Sequence, residues 1–324
     1  MQAFEYASPA TLREAFALLG TNWGDADVLA GGTDQISLMK EYLHTPKRVV
    51  SIRKIHELNG IRRSPHGLRI GANVTVDELM NDALARSEYP SLIAAARGIA
   101  SQQIRNMGTV VGDLCQRPRC WYFRGGYGLL AMQDGKSLVP GGENKYHAIF
   151  GGGPAYFVSA SSFGPPLIAL NAQLTIASPS GSRTVPVENF FLIPQNDQSR
   201  EVDLKPNEIV TEILVPAGGT KNATYEVRQK EALDWPLATA SVALTMDGGN
   251  VKSARIVLGH VAPTPWVAAD ASQQLAGKAI DEQTAEQAGA AAVSTASPLS
   301  GNRYKVQLAK VAVKRALLAA SGKT

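Results

Sequence analysis

A pair of glycines directly after a short apolar strand constrains the start of this chain more than any other feature. The pattern predicts a strand over residues 27–30 and a helix over residues 35–42, so Gly31 and Gly32 must turn the chain between them. Glycine lets peptide N–H groups approach a ligand, and a helix N-terminus adds partial positive charge, so the segment can bind an anion. A plain strand-to-helix turn also explains the pattern. The spacing is not Gly-x-Gly-x-x-Gly, which excludes a Rossmann fingerprint.

A second glycine-punctuated segment spans residues 104–114, with Arg105 near its start and with Gly108 and Gly112 inside it. Its Asn106 and Thr109 side chains can donate hydrogen bonds. A β-turn with an exposed arginine is the alternative interpretation. Because two such segments occur in one chain, we predict one extended diphosphate ligand held from both sides.

The order of the predicted elements indicates an α+β protein with two domains. A chain of 324 residues has a prior of about two domains. Its first 55 residues or so form a small α/β unit, whose first helix is predicted to be capped by Ser8. The turn-rich segment at 216–222 marks the boundary, so we expect domains at 1–218 and 219–324, the first divided into subdomains of about 1–55 and 56–218. Residues 101–165 are rich in glycine, proline and aromatic residues with little periodicity, which is typical of a functional irregular segment.

Charge and cysteine content exclude several classes of protein. The chain has 32 Lys and Arg against 28 Asp and Glu, but the basic residues are scattered and no nucleic-acid motif accompanies them. No apolar run approaches the roughly 18 residues of a membrane span, and the N-terminus does not read as a signal peptide. The cysteines, Cys115 and Cys120, are too few for a disulfide framework and fit a reducing compartment. We therefore expect a cytoplasmic protein that binds neither nucleic acid nor membrane.

Five sequence stretches together resemble a known family. They are AGGTD at 30–34, LRIGANVTVDEL at 68–79, IRNMGTVVGD at 104–113, SVAL at 241–244 and LGHVAPTPW at 258–266. The chain is similar, over nearly its whole length, to the flavin-binding medium subunits of molybdenum hydroxylases, the xanthine dehydrogenase, carbon monoxide dehydrogenase and aldehyde oxidoreductase complexes. The stretch QRPRCWYFR resembles a subgroup of these subunits that often holds an extra four-iron cluster.

This resemblance implies a fold and a cofactor. The fold is an FAD-binding domain of the vanillyl-alcohol oxidase and p-cresol methylhydroxylase type, built from two α/β subdomains and followed by a smaller α+β domain. FAD would lie extended between the subdomains, with Val210 near the flavin and Arg228 where relatives place a lysine. The expected cofactor-binding residues are Val28, Leu29, Ala30, Gly31, Gly32, Thr33, Asp34, Gln35, Ile104, Asn106, Gly108, Thr109, Val110, Val111, Gly112, Asp113, Val210 and Arg228.

Three departures from the family pattern bear on the cofactors. Asp113 stands where relatives have asparagine, which puts a negative charge near the diphosphate unless the carboxylate turns away. Relatives also carry Ser-Asp, with the aspartate bonding the cofactor, where this chain has Ser162-Phe163. Phenylalanine cannot accept that bond, so this anchor of the cofactor is lost or supplied elsewhere. A four-iron cluster needs about four thiolates, and two cysteines cannot supply them. We therefore expect no iron–sulfur cluster and no other metal site in this chain.

The resemblance implies an electron-transfer subunit without catalytic residues of its own. Two-iron clusters on a small partner would reduce FAD, which would pass electrons to an external acceptor. The substrate would be hydroxylated at molybdopterin on a large partner, and the complex could be a dimer of heterotrimers. Two alternatives stay open: a free-standing flavin oxidoreductase of the same fold, and a flavin-free scaffold subunit. Export of the folded complex with a signal-bearing partner is the alternative to a cytoplasmic location.

Overall fold

The chain folds into three successive units, each built on its own β-sheet. The computed structural model describes residues 1–99, 101–196, 198–230 and 233–323. The strands are β1 (Glu5–Ala7), β2 (Ala26–Leu29), β3 (Arg48–Ser51), β4 (Ile61–Ser64), β5 (Gly67–Gly71), β6 (Met132–Gln133), β7 (Lys136–Ser137), β8 (Gln173–Ser178), β9 (Gly181–Pro186), β10 (Ile209–Pro216), β11 (Lys221–Val227), β12 (Ala238–Asp247), β13 (Asn250–Gly259) and β14 (Trp266–Val267). The α-helices are α1 (Leu12–Leu18), α2 (Gln35–Lys40), α3 (Val76–Asn81), α4 (Ala83–Glu88), α5 (Pro90–Gly98), α6 (Gln102–Met107), α7 (Val110–Leu114), α8 (Trp121–Arg124), α9 (Gly164–Ala169), α10 (Val187–Phe190), α11 (Ala269–Gln273), α12 (Glu282–Ala292) and α13 (Tyr304–Ser321).

The first unit is a parallel sheet of strand order β1-β3-β2. Val49 and Val50 of the central strand are buried, because a central parallel strand is covered on both faces. Helix α1 begins later than predicted: its N-cap is Thr11, whose hydroxyl accepts from Glu14 N at 3.2 Å. The Ser8 cap was therefore wrong, since Thr11 can accept this bond where the helix actually begins.

The second unit is an antiparallel sheet of order β4-β5-β10-β8-β9. Strand β10 returns to this sheet from the far end of the domain and pairs with both β5 and β8. Buried side chains such as Ile70, Leu174 and Ile213 join this sheet to the first unit in one hydrophobic core. The glycine segments therefore sit on a rigid frame, since close-packed cores resist deformation.

The stretch expected to be irregular is more ordered than its composition suggests. Helices α6, α7 and α8 and the β6–β7 hairpin lie within residues 101–165. Phe150, Phe157 and Phe163 are buried there, so aromatic residues anchor a segment that has few regular hydrogen bonds. The helices are too short, at four to six residues, to give a readable period of 3.6.

The third unit is a four-stranded antiparallel sheet, β11-β12-β13-β14, with helices α11 to α13 beside it. Helix α13 buries Ala309, Val313, Ala316 and Leu317, and each large apolar side chain buried in this way contributes about 1.5–3 kcal/mol. Trp266 and Val267 pair with β13 as the edge strand β14, and helix α11 begins two residues later, at Ala269. Among the described residues, we find no helix that combines the length and the hydropathy of a transmembrane span.

A buried lysine fastens the third unit to the irregular stretch. Lys305 Nζ donates hydrogen bonds to the carbonyl oxygens of Tyr146 at 3.1 Å, His147 at 3.3 Å and His260 at 2.6 Å. All three protons of the ammonium group are thus used, which is the condition for burying a charge at acceptable cost.

Candidate functional site

A cavity of about 440 Å³ lies between the first and second units, and its volume is within the range of small-molecule sites. Both glycine segments line it. Of the residues predicted to bind a cofactor, the cavity is lined by Val28, Ala30, Gly31, Gly32, Thr33, Asp34, Gln35, Ile104, Gly108, Thr109, Val111, Gly112, Asp113 and Val210.

The two glycine segments touch each other at Gly31. A Cβ atom built on Gly31 would lie 2.0 Å from the carbonyl oxygen of Met107 and 2.9 Å from Gly108 Cα. One built on Gly108 would lie 3.3 Å from Thr33 Oγ1. Such contacts leave no room for a side chain at Gly31. The glycines therefore let two distant parts of the chain form one wall of the cavity.

This wall carries peptide N–H groups that the protein does not use. The N–H groups of Gly32, Thr33, Asp34 and Gln35 have no acceptor among the described residues, because the first helical bond runs from Ile36 N to Gly32 O at 3.1 Å. The N–H groups of Thr109 and Val111 likewise have no acceptor among the described residues. We call these six groups the amide cradle. A run of free amides at one place is suited to an anion with several oxygens.

Asp34 contributes its backbone to the cradle but not its carboxylate. Asp34 Oδ1 lies 2.8 Å from Arg124 Nη2 and 3.1 Å from Arg119 Nη2, and Oδ2 accepts from Arg117 N at 2.8 Å. The two guanidinium groups, at hydrogen-bond distance, balance the negative charge of the Asp34 carboxylate. They also fix the 117–124 segment over the glycine turn, a role that sequence reasoning missed.

The Asp113 carboxylate is bonded within the protein. Its carboxylate accepts from Ser161 Oγ at 2.6 Å, from Phe163 N at 2.9 Å and from Ser162 N at 3.4 Å. Burial raises the pKa of this carboxyl above its ordinary value, while the bonds from Ser161 and Phe163 oppose that change. The carboxylate expected near the diphosphate is therefore bonded to donors at the start of α9. None of these contacts replaces the cofactor bond that the relatives' aspartate makes at the position of Phe163.

Cationic and aromatic groups complete the far side of the cavity. Arg200 stacks on Trp23, with its guanidinium carbon 4.1 Å from the ring centre, and Arg117 pairs with Glu201. Burial, then the neighbouring Arg117, lowers the pKa of Arg200. No local sequence pattern indicates these residues, because they come together only in the tertiary structure.

Four predicted residues lie outside the cavity lining. Leu29 is half-buried and its Cδ1 lies under Gly32. Asn106 is exposed, and Val110 is fully buried in the core. Arg228 pairs with Glu226 above Gly98, which itself lines the cavity. For these four residues, as for the fourteen that line the cavity, binding to a cofactor stays a prediction.

The two cysteines have different surroundings. Burial raises the pKa of the Cys115 thiol to about 12, so it is protonated at neutral pH. Cys120 Sγ lies 3.1 Å from His147 Nε2. Among the described residues, no three His, Cys, Asp or Glu side chains are grouped so as to hold a metal ion.

Sequence comparison places the chain in a family. Residues 2–218 match the family described as "FAD binding domain in molybdopterin dehydrogenase", and residues 223–320 match "CO dehydrogenase flavoprotein C-terminal domain". The medium chain of carbon monoxide dehydrogenase from Hydrogenophaga pseudoflava is 32% identical over 98% of this chain and 96% of its own. The FAD-binding subunit of aldehyde oxidoreductase from Escherichia coli is 29% identical over 96% of each chain.

Solved structures agree with this placement. A carbon monoxide dehydrogenase from Hydrogenophaga pseudoflava that lacks the Mo-pyranopterin moiety matches with a TM-score of 0.77 and 32% identity, over 99% of this chain and 98% of that one. Quinoline 2-oxidoreductase from Pseudomonas putida also matches with a TM-score of 0.77, at 27% identity over the same shares. The expected fold class, an FAD-binding domain followed by a smaller α+β domain, is confirmed. The chain therefore belongs to the family of FAD-binding domains of the molybdopterin dehydrogenases.

Proposed function

We propose that this chain is the FAD-carrying electron-transfer subunit of a heteromeric molybdenum hydroxylase. It would accept electrons from two-iron clusters on a partner and deliver them to an external acceptor. The observation that carries the proposal is the amide cradle. It is formed by two segments that are at least 70 residues apart in the sequence and that meet at Gly31. Family membership supplies the identity of the ligand.

The residues present fit FAD. The amide cradle offers N–H donors to the pyrophosphate oxygens of FAD. Apolar walls for the ring systems of FAD are provided by Val28, Ile104, Val111 and Val210. The bound flavin would supply one- and two-electron transfer, which amino-acid side chains do not. The chain's own residues bind and orient it, and Asp34 and Asp113 hold the surrounding segments in place.

The proposed binding residues are those expected from the sequence. Fourteen of them line the cavity. The other four belong to the proposal on the family resemblance alone; they are Leu29, Asn106, Val110 and Arg228. We also keep the proposed domain limits of 1–218 and 219–324, which are supported by the position of β11 after a turn.

The partners follow from the relatives, which are named as medium chains or FAD-binding subunits. We propose a large molybdopterin subunit and a small iron–sulfur subunit, with substrate hydroxylation on the former. This chain would hold FAD and no iron–sulfur cluster. We propose a cytoplasmic location because both cysteines are free thiols, which fits a reducing compartment. Export of the folded complex is the alternative.

The flavin-free scaffold depended on Asp113 and Phe163, and it loses part of that support. The Asp113 carboxylate accepts from Ser161 and from the backbone of Phe163, so it does not stand as an unpartnered charge beside the diphosphate, whereas the Phe163 side chain still cannot accept a bond from the cofactor. Purification of the complex from its native source tests the proposal. We expect the complex to absorb at about 450 nm, to release FAD on treatment with acid, and to contain two companion chains. A fully folded, colourless preparation would contradict it.

A further inference from the structure

Beside the amide cradle, the first unit lines the FAD cleft with a carboxylate, an imidazole and an aromatic ring. These side chains belong to Asp27, His44 and Trp23. Gln35 connects them to the cradle: its N–H is one of the six cradle groups, and its side-chain Nε2 donates to Asp27 Oδ2 at 3.3 Å. A dinucleotide with its pyrophosphate on the cradle can therefore extend one of its two arms past Asp27.

Asp27 has one carboxylate oxygen available to a ligand. Its Oδ2 also accepts from His44 Nδ1 at 3.2 Å, whereas its Oδ1 accepts no hydrogen bond from the described residues. This Oδ1 atom is not sealed inside the protein, and Asp27 lines the cavity. Because a carboxylate only accepts hydrogen bonds, the free oxygen suits a ligand group that carries N–H or O–H.

His44 adds a second acceptor. Burial lowers the pKa of His44 below its ordinary value, and Asp27 opposes that change, so the ring is neutral at pH 7. The Nδ1 atom faces a carboxylate and must carry the ring proton, which leaves Nε2 as an acceptor. Nε2 forms no hydrogen bond among the described residues and, like Asp27 Oδ1, is not sealed inside the protein. Two neighbouring acceptors, one of them charged, disfavour a phosphate and favour a group with two N–H donors.

A flat cation lies beside these acceptors. The Arg200 guanidinium carbon is 4.1 Å from the Trp23 ring centre, and the Arg200 side chain lines the cavity with 20% of its surface exposed. Its charge interacts with that of Asp27 across the same space. Trp23 covers one face of the guanidinium group, so the other face can stack on a planar base.

Of the two ring systems of FAD, adenine has the edge that matches these groups. Its 6-amino group has two N–H donors and no neighbouring carbonyl oxygen, whereas the flavin edge has one N–H between two carbonyl oxygens, which the two acceptors would repel. We propose that the Asp27 carboxylate, held by His44 and Gln35, binds the 6-amino group of adenine while the base stacks on Arg200. Asp27 thus determines the specificity for the base of the dinucleotide. The inference rests on the proposed function, since it takes FAD as the ligand of the cleft.

ADP and purine riboside 5′-diphosphate test this contact, because the two ligands differ only in the 6-amino group. Each is titrated into the flavin-free full chain by isothermal calorimetry, and FAD is titrated in parallel. We expect ADP to bind at least about tenfold more tightly than purine riboside 5′-diphosphate, since the analogue lacks a hydrogen bond to a charged group. Equal affinities in the parent chain would overturn the proposal without any substitution.

Variants assign the preference to a residue. Asp27→Ala should abolish it, so that the two ligands bind with equal affinity, and Arg200→Leu should weaken both ligands several-fold while their ratio is kept. Asp247→Ala is the matched control and should change neither affinity, because Asp247 is exposed and lies outside the cavity. Circular dichroism establishes that each variant is folded. A tenfold preference for ADP that persists in folded Asp27→Ala would overturn the role of Asp27.

A third ligand, 2′-deoxy-ADP, distinguishes the base from the sugar. The ratio of its affinity to that of ADP should be the same in the parent and in Asp27→Ala. A ratio that changes in the variant would assign the carboxylate to a ribose hydroxyl and overturn the proposal.

The outcomes separate this inference from the proposed function. A chain that binds FAD but does not prefer ADP to purine riboside 5′-diphosphate would overturn the adenine contact alone. A chain that prefers ADP but binds no FAD would support the adenine contact and contradict the FAD-carrying function.

Discussion

Replacing Gly31 by alanine should pull the two halves of the amide cradle apart and weaken FAD binding. The new Cβ would lie 2.0 Å from the Met107 carbonyl oxygen, whereas non-bonded contacts of this kind are about 3.5 Å. One segment must therefore move by about 1.5 Å. The obstacle is backbone, so no side-chain rotation can relieve it.

The size of the effect follows from the cost of overpacking. Inserting a methyl group into a close-packed contact costs about 1–3 kcal/mol, which corresponds to a loss of FAD affinity of roughly 5- to 150-fold. Gly108→Ala is milder, because its Cβ would lie 3.0 Å from the Ile104 carbonyl oxygen and 3.3 Å from Thr33 Oγ1. Gly249→Ala is the control, since nothing lies within 4 Å of its Cβ.

The assay is titration of the flavin-free chain with FAD by isothermal calorimetry, with circular dichroism to establish that each variant is folded. We expect the dissociation constant to rise most for Gly31→Ala, less for Gly108→Ala and not at all for Gly249→Ala. Wild-type FAD affinity in a folded Gly31→Ala variant would refute the reasoning that contact between the segments forms the site.

Three further predictions concern the groups around the cleft. Asp113→Ala removes the acceptor for Ser161 and Phe163 and should lower the free energy of unfolding in urea by about 1–3 kcal/mol; an unchanged midpoint would show that these bonds contribute nothing. Asp34→Asn weakens the contacts to Arg119 and Arg124, so limited trypsin digestion should cut after Arg119 and Arg124 faster than in the parent, and equal rates would contradict the bracing role. Because burial lowers the pKa of His147 from 6.5 to about 4, the unfolded chain binds more protons than the folded one between these values, and stability should fall as pH falls from about 6.5 to 4. In His147→Gln, that slope of unfolding free energy against pH should be shallower by up to about 1 kcal/mol per pH unit, and parallel slopes would contradict the shift.

Local signals predicted the glycine turns but not the contact between them. A strand, two glycines and a helix start are adjacent in sequence, so residues 28–35 could be recognised as a ligand-binding turn. The contact of Gly31 with Met107 depends on the packing of two units, which no local pattern encodes. Strand β1 was not predicted, because it has three residues and is defined by its pairing with β3.

The role of Asp113 shows the same limit at a single residue. From the sequence, an aspartate in place of asparagine beside an expected diphosphate appeared unfavourable. Its partners, Ser161 and Phe163, lie about 50 residues later and are brought to it by helix α9. That this carboxylate has partners within the protein can be recognised only when the fold has brought residues 113 and 161–163 together.

A crystal structure of the chain with FAD bound tests the central claim most directly. The account predicts that the pyrophosphate oxygens lie within hydrogen-bond distance of the N–H groups of Gly32–Gln35 and of Thr109 and Val111. A pyrophosphate bound elsewhere in the cleft, with these six groups still lacking a partner, would contradict it.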